Sequence, residues 1–77
     1  MIWDNANRRH ITEEHAERGI TVEMVEQVIR HPAEEYLDER HGTIVSRGTV
    51  GGRLLLAAWR AVEPDGGYPV HARWEGS

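Results

Sequence analysis

The chain has 77 residues, no cysteine and no lysine, and its thirteen acids outweigh nine arginines to leave a net charge of −4. That length holds one domain, residues 1–77, built around a single small hydrophobic core. Without cysteine there are no disulfides or Cys-rich zinc sites, and without lysine there is no Walker-type phosphate loop and no Schiff-base chemistry.

Ile2 and Trp3 open the chain as a short apolar strand, and Asp4 offers a carboxylate to cap the turn that follows. A first helix is expected from Asn5 towards Arg18. Its apolar residues Ala6, Ile11 and Ala16 recur every five positions, too widely for one stripe, so a kink or break near Thr12 is expected. Gly19 suits the left-handed residue that ends a helix. Thr21 then caps a second helix in which Val22, Val25, Val28 and Ile29 form a stripe at helical spacing. His31 falls in its last turn and Pro32 stops it.

The pattern then turns to strands. Glu34-Glu35 and Asp38-Glu39 read as a solvated loop, with room for a basic partner to dock. Thr43 to Thr49 is rich in β-branched residues, Gly51-Gly52 fits a tight hairpin, and Arg53 to Val62 is the most apolar run. A second turn, Glu63-Pro64-Asp65-Gly66-Gly67, leads into a strand from Tyr68 to Trp74. The expected order is β-α-α-β-β-β, an α+β fold with both helices on one face of an antiparallel sheet.

The acids concentrate on the helical half. Residues 1–42 hold ten acids and five arginines, a balance of −5, whereas residues 43–77 hold three acids and four arginines, a balance of +1. An anion-binding face on the sheet is therefore compatible with an acidic chain. No apolar run reaches the roughly 18 residues of a membrane span, and the first residues lack the parts of a signal peptide, so a cytoplasmic location without membrane contact is expected. A domain this small leaves about 40% of its unfolded surface in water. A partner chain or self-association into a homo-oligomer is expected to supplement it.

Trp3-Asp4, Asn7, His10-Ile11, Gly19-Ile20-Thr21, Glu23, Val25-Glu26 and Val28, followed by Gly48-Thr49, Gly52-Arg53-Leu54-Leu55, Tyr68-Pro69-Val70 and Ala72-Arg73, span almost the whole chain. In this pattern the chain resembles the BrnT-like toxins of the RelE/ParE superfamily. The resemblance implies a RelE-like fold and a type II toxin, restrained by a cognate antitoxin protein and cleaving an RNA substrate as a metal-independent endoribonuclease with no cofactor. A non-catalytic protein-interaction module of the same fold is the contrasting reading.

Metal-free RNA cleavage needs a base for the ribose 2′-hydroxyl, cations for the crowded phosphorane and an acid for the leaving oxygen. Side chains alternate along a strand, so Arg47 shares a face with Val45 and Thr43, Arg60 with Leu54, Leu56 and Ala58, and His71 with Arg73. If register aligns these faces, Arg47, Arg60, His71 and Arg73 form one cationic surface; the plainer alternative is a set of ordinary solvent-facing residues. His10 falls at the position matching the resemblance and joins these four as a candidate catalytic residue, or else bonds inside the domain. Five histidines beside Asp38 and Glu39 also raise a metal site, but His10 and His15 lie off same-face helical spacing and no H-E-x-x-H pattern is present. No metal is expected. Trp3, Trp59 and Trp74 are expected in the core rather than stacked on bases, because the chain has no phenylalanine to fill it.

Overall fold

Asp4 and Asn7 close the first turn reciprocally: Asp4 Oδ1 accepts from the Asn7 backbone N–H, and Asn7 Oδ1 accepts from the Asp4 N–H, each at 2.9 Å. In the computed structural model, which describes residues 1–62 and 66–76, this box starts a helix α1 of only four residues, Asn5–Arg8. The chain then widens into a π-helical turn, Arg9–Glu13, in which the Glu14 N–H reaches back five residues to Arg9 O at 2.8 Å. A 3₁₀ turn, Ala16–Arg18, follows and ends at Gly19 with φ +68°. The expected helix from Asn5 to Arg18 is thus three short pieces. At the expected break the Thr12 hydroxyl donates back to Arg8 O at 2.7 Å, a local bond that competes with helix propagation.

The second helix, α2 (Val22–Arg30), forms as expected. Thr21 Oγ1 accepts from the Met24 N–H at 3.2 Å, and Val25, Val28 and Ile29 are its buried residues. These three meet Leu55, Ala57 and Ala72 from the sheet, with Ile11 and Ile20 completing the core. Gly48 lets the helix come close, since a Cβ there would lie 3.4 Å from Val28 Cγ2. All three tryptophans pack against this core with their indole N–H groups satisfied, Trp3 by Glu26, Trp59 by Ser46 and Trp74 by the Arg18 carbonyl.

Four strands, β1 (Glu34–Asp38), β2 (Thr43–Val50), β3 (Arg53–Val62) and β4 (Gly66–Trp74), pair antiparallel in the order β1-β2-β3-β4. The β2–β3 hairpin closes between Val50 and Arg53 over Gly51 and Gly52, both at positive φ (58° and 82°), the geometry that matches strand twist. The fold is therefore α+β, with helices on one face of an antiparallel sheet.

Two expectations are corrected. The segment read as a solvated acidic loop is strand β1, held by partners that lie far off in sequence: Glu34 pairs with Arg47, and Ser46 Oγ donates to Glu35. Conversely, residues 1–4 are not a strand; among the described residues Ile2 makes a single backbone–backbone bond, its N–H donating to Gly67 O at 2.8 Å. Most of the second turn, residues 63–65, lies outside the described residues, and β4 begins two positions before Tyr68.

That single bond belongs to a set. Along β4, the carbonyls of Gly67, Pro69 and Ala72 accept from Ile2 N–H, Asn7 Nδ2 and Arg18 Nη1 in turn. The N-terminal segment thereby covers one sheet edge, which would otherwise present unpaired backbone groups. At the opposite end of the sheet, β1 has no strand beyond it among the described residues.

Candidate functional site

Register decides which side chains meet. Tyr36 pairs with Val45, Val45 with Ala58 and Ala58 with His71, so these four form one row across the sheet. A second row runs Glu34, Arg47, Leu56, Arg73. Between Ala58 and Trp59 the pairing slips by one residue, since Trp59 faces Pro69 and leaves Val70 as the extra residue of a β-bulge. Bulges re-aim side chains, and here both Val70 and His71 come to line the same depression.

That depression, about 380 Å³, lies on the face without helices. Val45, Leu56 and Ala58 form its apolar floor. His71, Arg73 and Arg60 bring positive charge or imidazole to it, while Tyr36, Asp38 and His41 stand on the β1 side. Tyr36 is 51% exposed, so its ring is open to a ligand. Asp38 Oδ2 lies 3.0 Å from His41 Nδ1, and this hydrogen bond is the main reason the Asp38 carboxyl is held below its ordinary range.

Around His71 the short helical pieces supply a second layer. The ring of His10 lies 6.0 Å from that of His71 and 5.3 Å from that of His15, edge to face. Burial pushes the His71 pKa below its ordinary value, and the neighbouring Arg18, His10, Arg73 and His15 push it the same way. Both effects favour the uncharged imidazole, the form whose ring-nitrogen lone pair can accept a proton. His10 and His15 also face Glu14 and Glu17, at 3.3 and 3.8 Å.

Compared with known proteins, the chain matches no family model, no curated sequence and no solved structure. The site rests on its own geometry. Of the five candidate residues, Arg60, His71 and Arg73 line one groove, and His10 stands beside His71 without lining it. Arg47 lies on the same face but outside the groove. Its guanidinium is ion-paired to both Glu34 and Glu75, and its side chain is only 20% exposed, so it is committed to tying β1 to the residue after β4. An isolated strand pattern puts Arg47 on the right face but cannot show that two carboxylates claim it.

From sequence, Asp38 and His41 enter only among possible metal ligands and Tyr36 not at all, because their stretch reads as loop. The signal present was the three-residue spacing of Asp38 and His41. Among the described residues no three histidine, aspartate or glutamate side chains converge in the manner of a metal cage. Among them, too, no helix is long and apolar enough to cross a membrane. The groove thus brings two guanidinium groups, a side-chain type that suits phosphate, and an imidazole, a side-chain type that can take or give a proton, into one wall.

Proposed function

We propose that the chain is a metal-independent endoribonuclease of the toxin type, acting on cytoplasmic RNA and restrained by a cognate antitoxin protein. The observation that carries this reading is the grouping of the His71 imidazole with Arg60 and Arg73 in one groove on the uncovered sheet face. His71 takes the proton from a ribose 2′-hydroxyl, and the 2′ oxygen attacks the adjacent phosphorus. The bond from phosphorus to the 5′ oxygen breaks, leaving a 2′,3′-cyclic phosphate and a 5′-hydroxyl. Arg60 and Arg73 neutralise the charge that builds on the non-bridging oxygens, the interaction that gains most as the phosphorane forms. In this reading His10, its ring centroid 6.0 Å from that of His71, gives its own proton to the leaving 5′ oxygen. Exchange with solvent then removes the proton held on His71 and restores the one lost from His10.

The test is cleavage of unstructured RNA by the purified chain in excess EDTA. Fragments ending in 2′,3′-cyclic phosphate are expected; intact RNA, or cleavage that EDTA stops, counts against the proposal.

A second reading, a protein-interaction module without catalysis, is favoured by strand β1. It sits at a sheet end with Leu37 62% exposed and with Glu34, Glu35 and Glu39 beside it, a surface suited to a basic partner strand. Tight binding to the product of a neighbouring gene, without RNA cleavage, selects this reading instead.

A further inference from the structure

We infer that the β1 side of the groove is a guanine subsite, so that the RNA read there is cleaved after guanosine. This rests on the ribonuclease reading of the same groove and adds to it which nucleotide the groove holds. The row Tyr36, Val45, Ala58, His71 crosses three inter-strand spacings, about 14 Å in all. That span suits one nucleotide gripped from both ends by side chains, with phosphate at His71 and Arg73 and base towards β1.

The two ends differ in chemistry. On the β4 side stand a guanidinium and an imidazole, which suit a phosphate. On the β1 side stand an aromatic ring and a carboxylate, which suit a base. Between them the floor is apolar and low, with Ala58 and Val45 at its centre, so a flat ring meets no obstruction. Tyr36, half in solvent, has a free face on which such a ring stacks.

Asp38 selects among bases. Its Oδ1 accepts from the Arg40 N–H at 3.1 Å and its Oδ2 meets His41 at 3.0 Å, which fixes the carboxylate in place. Each carboxylate oxygen still has an unused lone pair. Guanine alone presents two adjacent donors, its ring N1–H and its exocyclic N2 amine, to such a pair of acceptors. Adenine and cytosine set a ring-nitrogen lone pair beside their amine, which the carboxylate repels, and uracil offers one N–H flanked by two carbonyls.

The experiment is calorimetric titration of the chain with the 3′-monophosphates of guanosine, inosine, adenosine, cytidine and uridine. Guanosine 3′-monophosphate is expected to bind about fivefold to tenfold more tightly than the inosine form, which lacks only the N2 amine, and more tightly than the other three. Asp38→Asn keeps the side-chain shape and is expected to erase that preference while leaving phosphate-driven binding of all five. Tyr36→Ala is expected to weaken all five. Equal affinity for guanosine and inosine forms overturns the inference, and because that comparison uses the unaltered protein it does not depend on any variant folding. Preference retained in Asp38→Asn overturns it as well. Guanosine preference without RNA cleavage keeps the subsite and removes the ribonuclease; cleavage indifferent to the base does the reverse.

Discussion

Replacing His71 with alanine is expected to slow RNA cleavage at pH 7 by about 10²- to 10⁴-fold, the range for losing a general base. The groove otherwise keeps its shape, because His71 is not among the buried residues of the core. Circular dichroism of the variant is expected to match that of the parent. The pH profile carries independent information. His71 works only when uncharged, and burial together with the surrounding cations holds its pKa below the ordinary value. The acid limb of the rate profile, set by His71, is therefore expected below about 6.5, the ordinary histidine value. A variant that cleaves within a few fold of the parent, or a profile whose acid limb lies above that value, contradicts the assignment.

Replacing Asn7 with alanine is expected to destabilise the fold by about 3 kcal/mol. Asn7 is 4% exposed and its side chain makes three hydrogen bonds, accepting from the Asp4 N–H and donating to the carbonyls of Ile2 and Pro69. Alanine leaves those groups without their partner, and the Pro69 bond is itself buried. The same side chain holds α1 against β4, so its loss also loosens the segment that carries His10 towards His71. For a domain whose total stability is on the order of 4–12 kcal/mol, such a loss is a large fraction. A urea titration reads it as a lower midpoint at unchanged slope. A change under about 1 kcal/mol would show that the clasp is dispensable.

Much of this architecture was legible because local signals agreed with tertiary packing. Thr21 and Pro32 bound α2, the valine and isoleucine stripe is the stripe that is buried, and Gly51-Gly52 makes the hairpin. Alternation along the strands likewise put His71 and Arg73 on one face, while their joining with Arg60 depends on the bulged register between β3 and β4. What escaped depends on partners that no window of sequence contains. Strand β1 is acidic and mostly exposed, and it exists because β2 offers it a pairing edge with Arg47 opposite Glu34. The π-helical turn replaces a regular helix where apolar residues recur every five positions; Ile11 is the one that reaches the core, while Ala6 and Ala16 remain exposed. The bulge at Val70 has no marker in sequence, yet it shapes the wall in which His71 sits. The extra Tyr36–Asp38–His41 wall follows from β1 and was hidden with it.

These corrections change the chemistry as well as the topology. Removing Arg47 from the cationic set leaves Arg60 and Arg73 as the guanidinium groups lining the groove. The Arg47 guanidinium in turn neutralises Glu34 and Glu75, which keeps those carboxylates from opposing an anion there. The acidic total charge is thereby compatible with a local phosphate site.

The most direct measurement is an NMR titration of the histidine rings across pH, with and without guanosine 3′-monophosphate. The His71 ring is expected to titrate below its reference value in the free chain and to move upward when the phosphate binds, because a nearby anion favours the imidazolium. A His71 ring that titrates at or above the reference value, unmoved by the nucleotide, would contradict the convergence of imidazole and guanidinium groups on one phosphate.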